Sequence, residues 1–117
     1  MESERRGANR SPARLTAIFK NLQTGKVLRA LTSDLSVEGM CLTTEGTLAI
    51  GMRLEVDLKL PDREAPVVCQ AEVVWSRSTS ESHKSYEVSP AQTGVKFLNL
   101  TSQDHAAIKH YTTLYGL

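Results

Sequence analysis

The chain has 117 residues and a formal net charge of +1, with 40% hydrophobic and 23% charged residues. That is one domain's worth of chain, with no global field to draw it onto nucleic acid or a membrane surface, so an anionic ligand needs a local cluster of Arg or Lys. No apolar run approaches the ~18 residues of a membrane span, and Met1–Arg6 has no apolar stretch behind it, so neither a signal peptide nor membrane insertion is expected and the default location is cytoplasmic.

Residues 1–13 are polar and charged and read as a flexible arm, with a folded unit expected over 14–117. The arm holds Arg5-Arg6-Gly7-Ala8-Asn9-Arg10, three arginines in six positions. Each guanidinium is a planar fork of donors that matches a phosphate or the O6/N7 edge of guanine. On composition alone the same stretch is also a solvated basic tail.

Short β-type segments follow. The first runs from Arg14 to Phe19, with its turn at Asn21–Lys26, and the second from Val27 to Ser33. Asp34-Leu35-Ser36-Val37-Glu38-Gly39 reads as a polar connection. Asp and Ser are short acceptors that favour turns. Gly39 suggests a positive φ or a close approach by a ligand. Asp34 is also the right group to accept hydrogen bonds from the ring N–H and exocyclic amine of guanine.

Met40–Thr43 is the third strand. Arg53–Leu60 is the clearest, with Leu54, Val56, Leu58 and Leu60 on one face and Arg53, Glu55, Asp57 and Lys59 on the other. Pro61-Asp62 ends it. In Val67–Ser76, alternation puts Trp75 on the face of Val67, Cys69, Ala71 and Val73, the core face. As the only tryptophan, at a strand end, Trp75 is also a candidate to stack a base, with Arg77 near the same rim. Residues 77–85 form a Ser-rich loop, and Tyr86–Leu98 resumes strand character.

The period changes after Thr101-Ser102-Gln103-Asp104, which resembles a helix cap. Ile108, Tyr111 and Tyr115 recur at helical spacing, predicting a helix over about 101–115 that docks on the sheet. About six strands and one C-terminal helix predict an antiparallel barrel, because closure removes open edges.

Catalytic and metal chemistry find little support. Cys41 and Cys69 stand far apart in apolar segments and read as reduced core thiols. His105 and His110 are five residues apart on the expected helix, which turns them about 140° away from each other. No nucleophile–base order or Gly-rich phosphate loop is present, so no enzyme is expected. With 5% aromatic residues and no net basic face, DNA or RNA binding is not expected either.

R-x-x-x-R at Arg6 and Arg10, followed 24 residues after Arg10 by D-x-S-x-x-G at Asp34, Ser36 and Gly39, resembles the paired signature of bacterial PilZ domains in their single-domain form. The resemblance covers essentially the whole chain. It implies a six-stranded antiparallel β-barrel with a C-terminal helix, binding the second messenger cyclic di-GMP without cofactor or metal. It implies that Arg6 and Arg10 grip phosphates and guanine edges, that Asp34 and Ser36 read a guanine, and that Gly39 lets the backbone come close. Arg5 matches a position that is often basic and suits either one ligand molecule or a stacked pair. The resemblance further implies an adaptor that signals to an effector protein. The alternative within the family is an interaction protein that works without nucleotide in pilus or motility assembly. Such members generally lack the arginine pair or the Asp/Ser/Gly set.

Overall fold

The computed structural model describes residues 11–12, 15–78 and 90–115. The strands are β1 (Ser11–Pro12), β2 (Thr16–Asn21), β3 (Val27–Leu35), β4 (Gly39–Thr44), β5 (Arg53–Leu58), β6 (Val67–Ser78) and β7 (Ala91–Phe97), followed by the helix α1 (Ser102–Tyr115). Strands β2 to β7 form the closed six-stranded antiparallel barrel expected, in the order β3-β2-β5-β6-β7-β4, with β4 pairing back onto β3. The two-residue β1 lies against the end of β3, with Ser11 opposite Leu35 and Pro12 opposite Asp34.

Period-two burial builds the interior. Ala17 and Phe19 of β2, Leu54, Val56 and Leu58 of β5, and Val67, Cys69, Ala71 and Val73 of β6 all point inward and are buried. Their outward neighbours include Lys20, Glu55 and Gln70, which lie side by side across three strands. Thr101 caps α1, its Oγ1 accepting from the Asp104 N–H at 3.1 Å. Ile108 and Tyr111 join the barrel core. Arg63, in the β5–β6 loop, binds the Asp104 carboxylate at 3.1 Å and fixes the helix at that end of the barrel. No helix among the described residues is long and apolar enough to cross a membrane.

Two departures from simple alternation matter for the site. Strand β3 continues through Asp34 to Leu35, where a polar connection was expected, so the turn is only Ser36–Glu38. Within β3 the register shifts between Thr32, opposite Leu42, and Asp34, opposite Cys41, which makes Ser33 an extra residue. Within β6 it shifts again, between Val73 opposite Val95 and Trp75 opposite Gly94.

The second bulge corrects the alternation reading of Trp75. The extra residue, Val74, inverts the pattern beyond it, so Trp75 turns outward and is 38% exposed. Ser76 takes the inward place, opposite the buried Thr93.

Candidate functional site

The two bulges lie on strands three places apart around the barrel, and they put a row of residues in register on its outer surface. Trp75 of β6 faces Gly94 of β7, Gly94 faces Cys41 of β4, and Cys41 faces Asp34 of β3. Pro12 of β1 ends the row beside Asp34. Three inter-strand steps separate Trp75 from Asp34, roughly 14 Å. Between them lies a cleft of about 130 Å³ bordered by Asp34, Cys41, Val74, Trp75 and Gly94.

Gly94 explains how the indole is held. A Cβ added there would fall 2.1 Å from Trp75 Nε1 and 2.4 Å from Cε2. The ring therefore lies directly over the Gly94 backbone, in space that any other residue would fill. The Arg77 guanidinium carbon sits 5.3 Å from the ring centroid, within cation–π range.

Between Trp75 and Asp34, Gln92 ties the outer side chains of three strands together. Its Oε1 accepts from Cys41 Sγ at 3.0 Å and from Ser33 Oγ at 3.2 Å, and its Nε2 donates to Thr43 Oγ1 at 3.1 Å. Cys41 is thus buried as expected, but under an outer-surface network and not in the barrel interior. Cys69 is the interior thiol, and burial, reinforced by the Asp104 charge, pushes its pKa up to about 11. Both cysteines are free thiols.

Ser36 and Gly39 act on the row from behind. Ser36 is fully buried. Its hydroxyl accepts from the Glu38 N–H at 3.1 Å and the Gly39 N–H at 3.4 Å, while its own N–H donates to the Gly39 carbonyl at 2.9 Å. These bonds close the β3–β4 turn two residues after Asp34. Gly39 does not have positive φ. The group that comes close to it is the protein's own strand β7: a Cβ there would fall 2.0 Å from the Val95 carbonyl oxygen. Arg5, Arg6 and Arg10 lie outside the described residues.

Of the residues singled out in the sequence, the structure brings Asp34 and Trp75 onto one register row and puts Ser36 in the β3–β4 turn and Gly39 at the start of β4. The sequence reading missed Gly94, Gln92 and the outward placement of Cys41. A signal for Gly94 was available, because a glycine inside a strand pattern marks a bulge or a close approach by another group. Among the described residues, no cluster of three or more His, Cys, Asp or Glu side chains could hold a metal ion.

A family model described as the PilZ domain matches residues 4–114. Among solved structures, the chain is similar to the PilZ domain with c-di-GMP of YcgR from Escherichia coli, with a TM-score of 0.73 and 18% identity over 95% of this chain and 91% of that one. It is similar to the Bacillus subtilis inhibitor of motility MotI/DgrA, with a TM-score of 0.74 and 17% identity over 92% of this chain and 49% of that one. It is also similar to K. pneumonia MrkH in its apo state, with a TM-score of 0.72 and 15% identity over 92% of this chain and 47% of that one. The chain thus spans about half the length of MotI and of MrkH. At these identities the likeness is one of fold. No curated protein matches the chain.

Proposed function

The chain belongs to the PilZ family, and from that membership we propose that it is a cyclic di-GMP receptor whose ligand lies on the outer barrel face between Trp75 and Asp34. The observation that carries this reading is the register row Trp75–Gly94–Cys41–Asp34. It pairs an aromatic platform with a carboxylate acceptor, the two groups a guanine base needs for stacking and for edge recognition. The similarity to the PilZ domain with c-di-GMP of YcgR from Escherichia coli supports the same ligand.

In this reading Asp34 accepts from the guanine ring N–H and amine, and Trp75 stacks a base with Arg77 beside it. Gly94 keeps the platform flat. Ser36 and Gly39 serve as positioning residues, through the turn and through packing on β7. Arg6 and Arg10, with Arg5, supply charge-assisted contacts to the phosphates and guanine edges. The pairing of Ser11 and Pro12 with Leu35 and Asp34 supports this assignment, because the chain leading to Arg10 starts beside the acceptor. Ligand closes the arm over the face, and an effector protein reads the changed surface in the bacterial cytoplasm. No catalysis is involved.

Calorimetric titration with cyclic di-GMP tests the reading. Wild type binds, and Asp34→Ala and Arg10→Ala each lose about 1–3 kcal/mol. A wild-type protein that takes up no ligand at tens of micromolar would refute the receptor and leave a PilZ-fold interaction protein that works without nucleotide. Amide relaxation of residues 1–13 that is the same with and without saturating ligand would refute closure of the arm.

A further inference from the structure

Directly behind the Trp75 face, the barrel wall contains a chain of hydroxyl groups that leads to a different surface. Ser76 follows Trp75 and points inward. Its Oγ lies 2.8 Å from Thr93 Oγ1, and Thr93 Oγ1 lies 3.0 Å from Thr44 Oγ1. Both ends of this chain hold the β4–β5 loop, residues 45–52. Ser76 Oγ accepts from the Leu48 N–H at 3.0 Å, and Thr44 Oγ1 donates to the Gly46 carbonyl at 2.8 Å. The loop also grips the residue just before the bulge. Gly51 N–H donates to the Val73 carbonyl at 2.8 Å, and Val73 N–H donates to the Met52 carbonyl at 3.0 Å.

The bulge that turns Trp75 outward is therefore fastened to this loop on both sides, at Val73 and at Ser76. The loop has the parts of a movable element. Gly46 and Gly51 bracket it with positive φ, at 128° and 90°. Leu48 and Met52 line a cavity of about 350 Å³ at the open end of the barrel, away from α1, which leaves room for inward movement. Ile50, within the loop, is 74% exposed, the highest value among the large hydrophobic side chains of the described residues.

We propose that occupancy of the Trp75 face is relayed through Ser76, Thr93 and Thr44 to the β4–β5 loop, which changes its exposure of Ile50. The relay is a contiguous hydrogen-bonded path between two surfaces, and a bulge shift at one end alters bonding at the other. It rests on the cyclic di-GMP reading for the identity of the ligand and for the face it occupies.

Hydrogen exchange across the loop tests it. In wild type, saturating cyclic di-GMP changes exchange at amides 46–52 by roughly 5-fold or more, the low end of ordinary site–site coupling. Ser76→Ala, and independently Thr93→Val, retain ligand binding by calorimetry but lose that response. Without ligand, Gly94→Ala pushes the indole off its seat and alters exchange at the same amides. Ligand binding with amides 46–52 unchanged, or an undiminished response in folded Ser76→Ala or Thr93→Val, overturns the relay. If wild type binds no cyclic di-GMP, the ligand reading fails by itself and Gly94→Ala decides the relay: an unchanged loop overturns it.

Discussion

The two sides of this barrel follow different rules. On the side formed by β2, β5 and the first part of β6, alternation is unbroken, hydrocarbon fills the inside and the outer surface is largely charged or polar. On the side formed by β3, β4, β7 and the end of β6, alternation breaks twice. There a tryptophan and an aspartate face outward, while serine and threonine hydroxyls take places inside. The regular side holds the barrel together, and the bulged side gives up apolar core positions and displays the candidate site. Bulges re-aim side chains in this way without changing the fold.

The largest effect should come from the regular side. Leu58 is fully buried. Leu58→Ala should cost about 2–5 kcal/mol of stability in urea unfolding, while the fraction that remains folded binds ligand with unchanged affinity. Trp75→Ala should reverse the balance. It removes the proposed base platform, at a cost of about 1–3 kcal/mol of affinity, and because the side chain is partly exposed, its unfolding midpoint should move less than that of Leu58→Ala. If Trp75→Ala destabilised the barrel as much as Leu58→Ala while leaving affinity intact, the distinction between the two sides would collapse.

Gly94→Ala sharpens the comparison further. It adds one methyl group where the indole now lies. Affinity should fall by no more than in Trp75→Ala, because the platform is tilted and not deleted. The emission of the single tryptophan should shift as the ring leaves the backbone, and far-UV circular dichroism should be unchanged. Unshifted emission together with wild-type affinity would mean that the seat does not position the ring.

This contrast also explains what the sequence could disclose. The strands of the regular side were legible because period-two burial is a local property: Leu54, Val56 and Leu58 need no knowledge of a partner strand to declare their face. The helix was legible through the Thr101 cap and the spacing of Ile108 and Tyr111. Asp34 is visible in the sequence as an acceptor but not as a strand residue, because only the Ser33 bulge lets β3 continue past it. The outward turn of Trp75 was hidden for a stronger reason. A bulge is a mismatch between two strands, and the register of β6 against β7, some twenty residues apart in the chain, is absent from any local window of sequence. Gly94 was the one local clue, and it made sense only once paired with the tryptophan it accommodates.

The smallest expected effect returns to the regular side, where Cys69 sits in the wall. Its pKa is raised from an ordinary 9.0 to about 11, by burial first and by the Asp104 charge second. The native state therefore holds the thiol proton more tightly than the unfolded chain does. The sign follows: the contribution is complete below about pH 9, and stability falls as pH rises from there toward about 11. Tyr111, raised by burial, by Tyr115 and by Asp62, acts in the same direction. Cys69→Ala should therefore flatten only part of the alkaline decline in the urea midpoint, and Tyr111→Phe a further part. An alkaline decline that is unchanged in Cys69→Ala would mean that the buried thiol does not contribute to it.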